Sequence, residues 1–231
     1  MPLTVISMAT YLSGAGHTWR NEDYNASKFI KAIKGDPIKG YASIPGRSGH
    51  VRLDEGSRHN AVTCFGQRAC DYLIEYNYWR GAKALVPLPS SDAALGVNFT
   101  RFPARDLAVA LQTELANANV YVDVADVLRW KTPMQSARSG GPRAGYVLYD
   151  NLVVVEPLRR DIQYILVDDV CTSGGHLRAS ARCLDDAGGT VVLAVCAGRT
   201  VQELPASPFA LHTEQLEDLI LSTDLLDVDE E

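Results

Sequence analysis

The sequence predicts an α/β fold: a mostly parallel, twisted sheet with helices on both faces, plus an N-terminal hood-like region. Three observations carry this prediction. From Lys83 onward, short apolar runs alternate with helical patterns, the order expected of βαβ units. The run Tyr164 to Val167 is apolar at consecutive positions, as a strand covered on both faces must be. Residues 1 to 60 break the alternation with Gly, Pro and Asn punctuation, which sets them apart from the rest of the chain. The organisation expected is a hood, extension and helix over 1–80, then a core over 81–231 with an acidic tail.

Each element has a local reason. Leu3 to Met8 and His50 to Leu53 are β-like pieces. Between 57 and 79, Val62, Phe65, Ala69, Tyr72 and Tyr76 recur every three or four residues, so a helix is expected there. Ala84 to Leu88 is a short apolar strand. Pro103 opens a helix to Ala116, with Leu107, Ala110, Leu111 and Leu115 on one side. Val120 to Val124 is expected as a strand, and Tyr146 to Glu156 as a longer strand or pair. After Val167 a helix begins near His176, buries Leu177, Ala181 and Leu184, and stops at Gly188-Gly189. Thr190 to Cys196 is a β-branched strand, and Thr223 to Glu231 an acidic, solvated tail.

The chain has 231 residues and a formal net charge of -6. That balance argues against a sequence-independent grip on nucleic-acid phosphates, which needs a basic face. Five cysteines in no C-x-x-C spacing point to free thiols and a reducing cytoplasm. The N-terminus lacks a basic lead before its apolar residues, and no apolar run reaches membrane-span length. A cytoplasmic protein with no membrane partner is expected. His17, His50, His59 and His212 have no metal-ligand spacing.

The chemistry concentrates in YILVDDVCTSGGHLRAS, residues 164 to 180. An apolar strand ends at Asp168 and Asp169. Adjacent carboxylates repel, and a sugar diol offers donors that satisfy both. The next residues, Cys171-Thr172-Ser173-Gly174-Gly175-His176, are small enough to turn backbone N–H groups inward around an anion. The following helix adds its positive end. A sugar phosphate fits, with its diol on the aspartates and its phosphate in the turn.

This string resembles the fingerprint of type I phosphoribosyltransferases, in which an apolar strand and two acids precede V-x-T-T-G-x-T. Within that superfamily it is most similar to the ComF-type, competence-associated group. ALVPLPSS at 84–91 resembles the first core strand and pyrophosphate loop. NFTRFPARDLAVAL at 98–111 looks like the group's G-F-N-Q-x-x-x-L-A. VLRWKTPMQSARSGGPRAGY at 127–146 is similar to L-x-R-x-x-x-T-x-x-Q. The likeness spans roughly 82–200. Three features differ from the group: no N-terminal cysteine cluster, SSDAALGV in place of an arginine-rich stretch, and His176 in place of the last Thr.

The resemblance implies a phosphoribosyltransferase. It would move the ribose 5-phosphate of phosphoribosyl diphosphate (PRPP) to a small-molecule nitrogen acceptor, first of all a nucleobase, and release pyrophosphate. Asp168 and Asp169 would hold the ribose hydroxyls. Val170, Cys171, Thr172, Ser173, Gly174, Gly175 and His176 would complete the ribose and 5′-phosphate site. Pro89, Ser90 and Ser91 would take pyrophosphate. Mg²⁺ would be the cofactor, held mainly by PRPP oxygens and water. Between Val127 and Tyr149 stand Arg129, Lys131, Arg138 and Arg143, with no acid. Cations on a closing loop stabilise a leaving pyrophosphate, so Arg129 and Lys131 join the aspartates as catalytic candidates. Trp19, Tyr24 and Tyr41 could stack the acceptor base. A homodimer is compatible with the resemblance. The alternatives are a non-catalytic sensor of PRPP or nucleotide on the same fold, and a ComF-like accessory to DNA uptake.

Overall fold

A computed structural model describes residues 2–13, 17–97, 102–135, 140–142 and 144–221. Among them, strands β1 (Leu3–Ser7), β2 (Thr10–Leu12), β5 (Lys83–Pro87), β6 (Asp123–Val124), β9 (Gln163–Cys171), β10 (Val191–Val201) and β11 (His212–Leu216) build one sheet. Its order is β11-β1-β10-β9-β5-β6, and β2 extends β10. Every pairing is parallel except β1 with β11. Two antiparallel hairpins stand apart from it: β3 (Ala42–Gly46) with β4 (Gly49–Leu53), and β7 (Leu128–Trp130) with β8 (Leu152–Val154).

Helices cover both faces, as the sequence predicts. On one side α1 (Asn21–Lys34), α2 (His59–Glu75) and α3 (Pro103–Asn117) bury Phe29, Phe65 and Leu111 against Ile165, Val167 and Val195. On the other, α4 (Gly145–Asn151), α5 (Gly175–Asp186) and the second hairpin bury Leu148, Leu177, Leu184 and Trp130 against Val86, Leu166 and Ala194. Burying a single such side chain contributes about 1.5–3 kcal/mol.

Several expectations need correction. Residues 146–156 are not all strand: Gly145–Asn151 is helix and only Leu152–Val154 is strand. Val147 and Tyr149 favour strand locally, but Leu148 is drawn into the core beside α5, and packing overrides propensity. Gly145 allows this approach, since a Cβ there would stand 2.7 Å from Leu219 Cδ1. The strand expected over 120–124 shrinks to Asp123–Val124. The helix α1 was not expected. Ala26, Phe29, Ile30 and Ile33 fall at i, i+3, i+4 and i+7, and all are buried. It opens with Arg20, whose N–H donates to Asp23 Oδ2 at 2.8 Å, and closes on left-handed Gly35. Residues 1–80 contribute to the same sheet and core as the rest of the chain. β1 lies between β10 and β11, and one core joins Ile6, Phe29 and Phe65 to Leu107 and Ile165. Of the tail expected at 223–231, every residue lies outside those described.

Candidate functional site

Strand β9 does not stop at Val167. β10 pairs it through Val170 and Cys171, so Asp168 and Asp169 lie within its last stretch of extended backbone. On the other side β5 pairs up to Pro87–Val167, and the Leu88 N–H still donates to Val167 O at 2.9 Å. That contact delivers Pro89, Ser90 and Ser91 beside the aspartates. After Cys171 the chain turns through Thr172, Ser173 and Gly174 into α5. Gly174 has φ 75°, and a Cβ on it would meet Leu216 Cδ1 at 2.5 Å. Glycine is required there both for conformation and for space.

These segments enclose a cleft of about 390 Å³ at the carboxyl ends of the parallel strands, where open α/β sheets bind ligands. Asp168, Asp169, Thr172, Ser173, His176 and Pro89 to Ser91 all line it. Val170 and Cys171 do not. Val170 enters the core under α1 to α3, and Cys171 the core under α5. Cys171 Sγ stands 3.7 Å from Glu214 Oε1, and burial pushes its thiol up to about 12. It is inert as a nucleophile. Gly174 and Gly175 shape the turn from behind, where Ser173 Oγ accepts from the Gly175 N–H at 3.4 Å.

Asp168 is 9% exposed. Burial first, then the neighbouring Asp169 carboxylate, push its pKa well above the usual carboxylate range. The Asp169 N–H, donating to Asp168 Oδ1 at 2.8 Å, and the Lys34 ammonium oppose this in part. His176 stacks on Trp130, with ring centroids 5.1 Å apart and 25° between planes. Its Nδ1 is 3.9 Å from Asp168 Oδ2, and its buried Nε2 has no hydrogen-bond partner among the described residues. That separation would make an ion pair if both groups were charged. Burial instead pulls His176 down to about 4, so a neutral imidazole faces a carboxyl held toward its neutral form.

Two catalytic candidates stand elsewhere. Arg129 grips Asp126 at 2.6 and 3.1 Å, and Lys131 Nζ donates to Asp150 O at 2.7 Å. Neither lines the cleft. Asp126 lies one residue outside the acid-free window 127–149. In β7 successive side chains alternate, so Trp130 reaches the cleft and Arg129 turns away. Trp130 then fastens the loop, donating from Nε1 to Ser90 O at 2.8 Å, while the Met134 N–H donates to Ser91 O at 2.8 Å. Arg138 and Arg143 lie outside the described residues, as do 98–101 of the NFTRFPARDLAVAL segment. Trp19, Tyr24 and Tyr41 are not cleft residues; Trp19 packs on Tyr24, and Tyr41 carries Arg52 over its ring at 4.7 Å.

Sequence reasoning missed Lys34, Phe102, Trp130, Met134 and Gln135 on the cleft wall. Lys34 ends α1, and the periodicity that reveals α1 is the signal that could have found it. Among the described residues, no three of His, Cys, Asp and Glu cluster as a metal cage. The acid pair and the open cleft still suit a hydrated divalent cation carried in by ligand oxygens. Among the described residues, no helix is long and apolar enough to cross a membrane.

The fold is similar to solved phosphoribosyltransferase structures. Adenine phosphoribosyltransferase from Saccharomyces cerevisiae, complexed with an imino-altritol bisphosphate and adenine, shares 14% identity over 75% of this chain and 89% of that one, with a TM-score of 0.36. The Trypanosoma brucei adenine enzyme, in complex with AMP, pyrophosphate and ribose-5-phosphate, shares 13% over 94% and 96%, with a TM-score of 0.39. Leishmania donovani UMP synthase shares 14% over 77% of this chain and 31% of that chain, with a TM-score of 0.34. No family model and no curated protein matches the sequence.

Proposed function

We propose that the cleft binds PRPP with Mg²⁺ and transfers its ribose 5-phosphate to a nitrogen acceptor, a nucleobase in the first instance. One observation carries the reading. The acid pair, the turn residues Thr172, Ser173 and His176, and the Pro89–Ser91 loop line a single cleft, which supports a ligand carrying ribose, 5′-phosphate and pyrophosphate together. Asp168 and Asp169 accept from the ribose hydroxyls and stabilise positive charge developing on the ring. The turn holds the 5′-phosphate through backbone N–H groups and the α5 N-terminus. The C1–O bond breaks, its electron pair leaves with pyrophosphate, and the acceptor nitrogen's lone pair forms the new C1–N bond. Mg²⁺, carried in on PRPP oxygens and water near Asp168 and Asp169, would neutralise charge on the departing oxygens. Lys34, a cation on the cleft wall, takes the part that sequence assigned to Arg129 and Lys131. Phe102 offers a flat wall for the acceptor.

A second reading has its own observation. Arg129 and Lys131 are both engaged away from the cleft, which favours a module that senses PRPP without turning it over. Calorimetry with PRPP and Mg²⁺ tests the site. Binding should be lost in the Asp168→Asn, Asp169→Asn double variant and weakened about tenfold or more in Lys34→Met. Unchanged affinity in the double variant would refute the assignment. Pyrophosphate release over a panel of purines and pyrimidines tests turnover; tight PRPP binding without release from any base would establish the sensor.

A further inference from the structure

A second cavity, of about 650 Å³, lies at the other end of the same strands. It touches Ala82, Lys83 and Ile162, where β5 and β9 begin, whereas the cleft touches Leu88 and Asp168 near their far ends. Lys83 is its unusual feature. The residue is 7% exposed, and the hydrogen bond its ammonium makes among the described residues goes to the neutral Gln163 Oε1. A buried ammonium without a counter-charge costs free energy, and burial accordingly lowers its pKa. The end of α3 does not serve as its partner. Among the described residues the Lys83 ammonium makes no hydrogen bond to the carbonyls there.

The remaining wall is polar. Gln112, Thr113 and Asn117 come from α3, and Tyr121, which is 81% exposed, stands beside them. Gln112 Nε2 is committed to Val122 O at 2.8 Å, which leaves its side-chain oxygen as the acceptor. Arg159 stands at the rim, paired with Asp161 at 2.7 Å through groups that are both more than half exposed. Such a pair is weak, and its guanidinium exchanges partners at little cost. Asp123 also lines the cavity, and after Asp161 its carboxylate acts on Arg159, raising that guanidinium's pKa, so an anion has its place at Lys83.

We propose that this cavity is a second ligand site, for a phosphomonoester of mononucleotide size. Its phosphate takes Lys83, its hydroxyls lie along Gln112, Thr113 and Asn117, and its ring rests on Tyr121. Calorimetric titration of the full chain with AMP reads the number of sites and their affinities. Lys83→Met should remove one AMP site or weaken it tenfold or more, while the Asp168→Asn, Asp169→Asn double variant keeps it. Thr113→Trp changes an exposed helix position and fills the cavity, so it should act like Lys83→Met even if the latter fails to fold. Inorganic phosphate should compete at the site that these changes remove. AMP binding that both changes leave intact overturns the proposal. So does AMP binding that vanishes in the aspartate double variant, which would place all of it in the cleft.

Discussion

Asp168 holds the cost and the use of the site in one side chain. Its surroundings favour the proton: burial and Asp169 raise its pKa, against the help of Lys34 and the Asp169 N–H. A carboxyl whose folded pKa exceeds its ordinary 3.8 contributes most to stability below that value. The contribution is lost as pH rises through the folded pKa. At neutral pH the fold therefore bears a cost for keeping this carboxylate ready. Asp168→Asn imitates the protonated form without changing shape. It should raise the melting temperature at pH 7–8, by about 2–4 °C for each kcal/mol relieved, and lose that advantage as pH falls toward 4. Thermal melts across pH, run beside PRPP calorimetry, would show stability rising as affinity falls. A lower melting temperature at pH 8 would mean that the carboxylate is already satisfied in the folded chain.

At the scale of elements, the strand–turn–helix unit of β9 and α5 is held at several points. The turn is anchored from beneath by Arg199, which donates to Thr172 O and pairs with Glu214 at 2.6 Å. Gly174→Ala meets both the left-handed backbone and the Leu216 side chain. It should destabilise the fold by about 1–3 kcal/mol and weaken phosphate binding more than tenfold. A variant that melts normally and binds PRPP normally would show that the turn relaxes freely. This unit was legible in the sequence because its signals are local: an apolar run, two acids, two glycines. Lys34 was not legible, because its place depends on α1 crossing over β9, a contact between residues more than 130 positions apart. The position of Arg129 was not legible for a related reason. Charge over a window was visible, but Asp126 just outside it and the alternation of β7 decide where the guanidinium goes.

At the scale of the whole molecule, the N-terminal third is part of the core. β1 is hydrogen-bonded on both edges, in register with Val195 on β10 at Ile6 and with Glu214 on β11 at Val5. The same segment carries Met8, Phe29, Ile33, Phe65 and Leu73 into the larger of the two cores, and α1 places Lys34 on the cleft. A chain beginning at residue 81 would expose the β10 edge and the apolar faces of Leu107, Leu111 and Ile165 together. It would also leave β11 with no strand to pair with. Unpaired edges and bare apolar faces drive association rather than folding. Such a chain should aggregate or melt without a cooperative transition in circular dichroism, and it should not bind PRPP. Co-expression with residues 1–80 should restore soluble material, because the missing strand and helices would then be supplied in trans. A cooperative transition from the shortened chain alone would show instead that β5, β9 and β10 close a core without β1, and that the first 80 residues serve only the cleft.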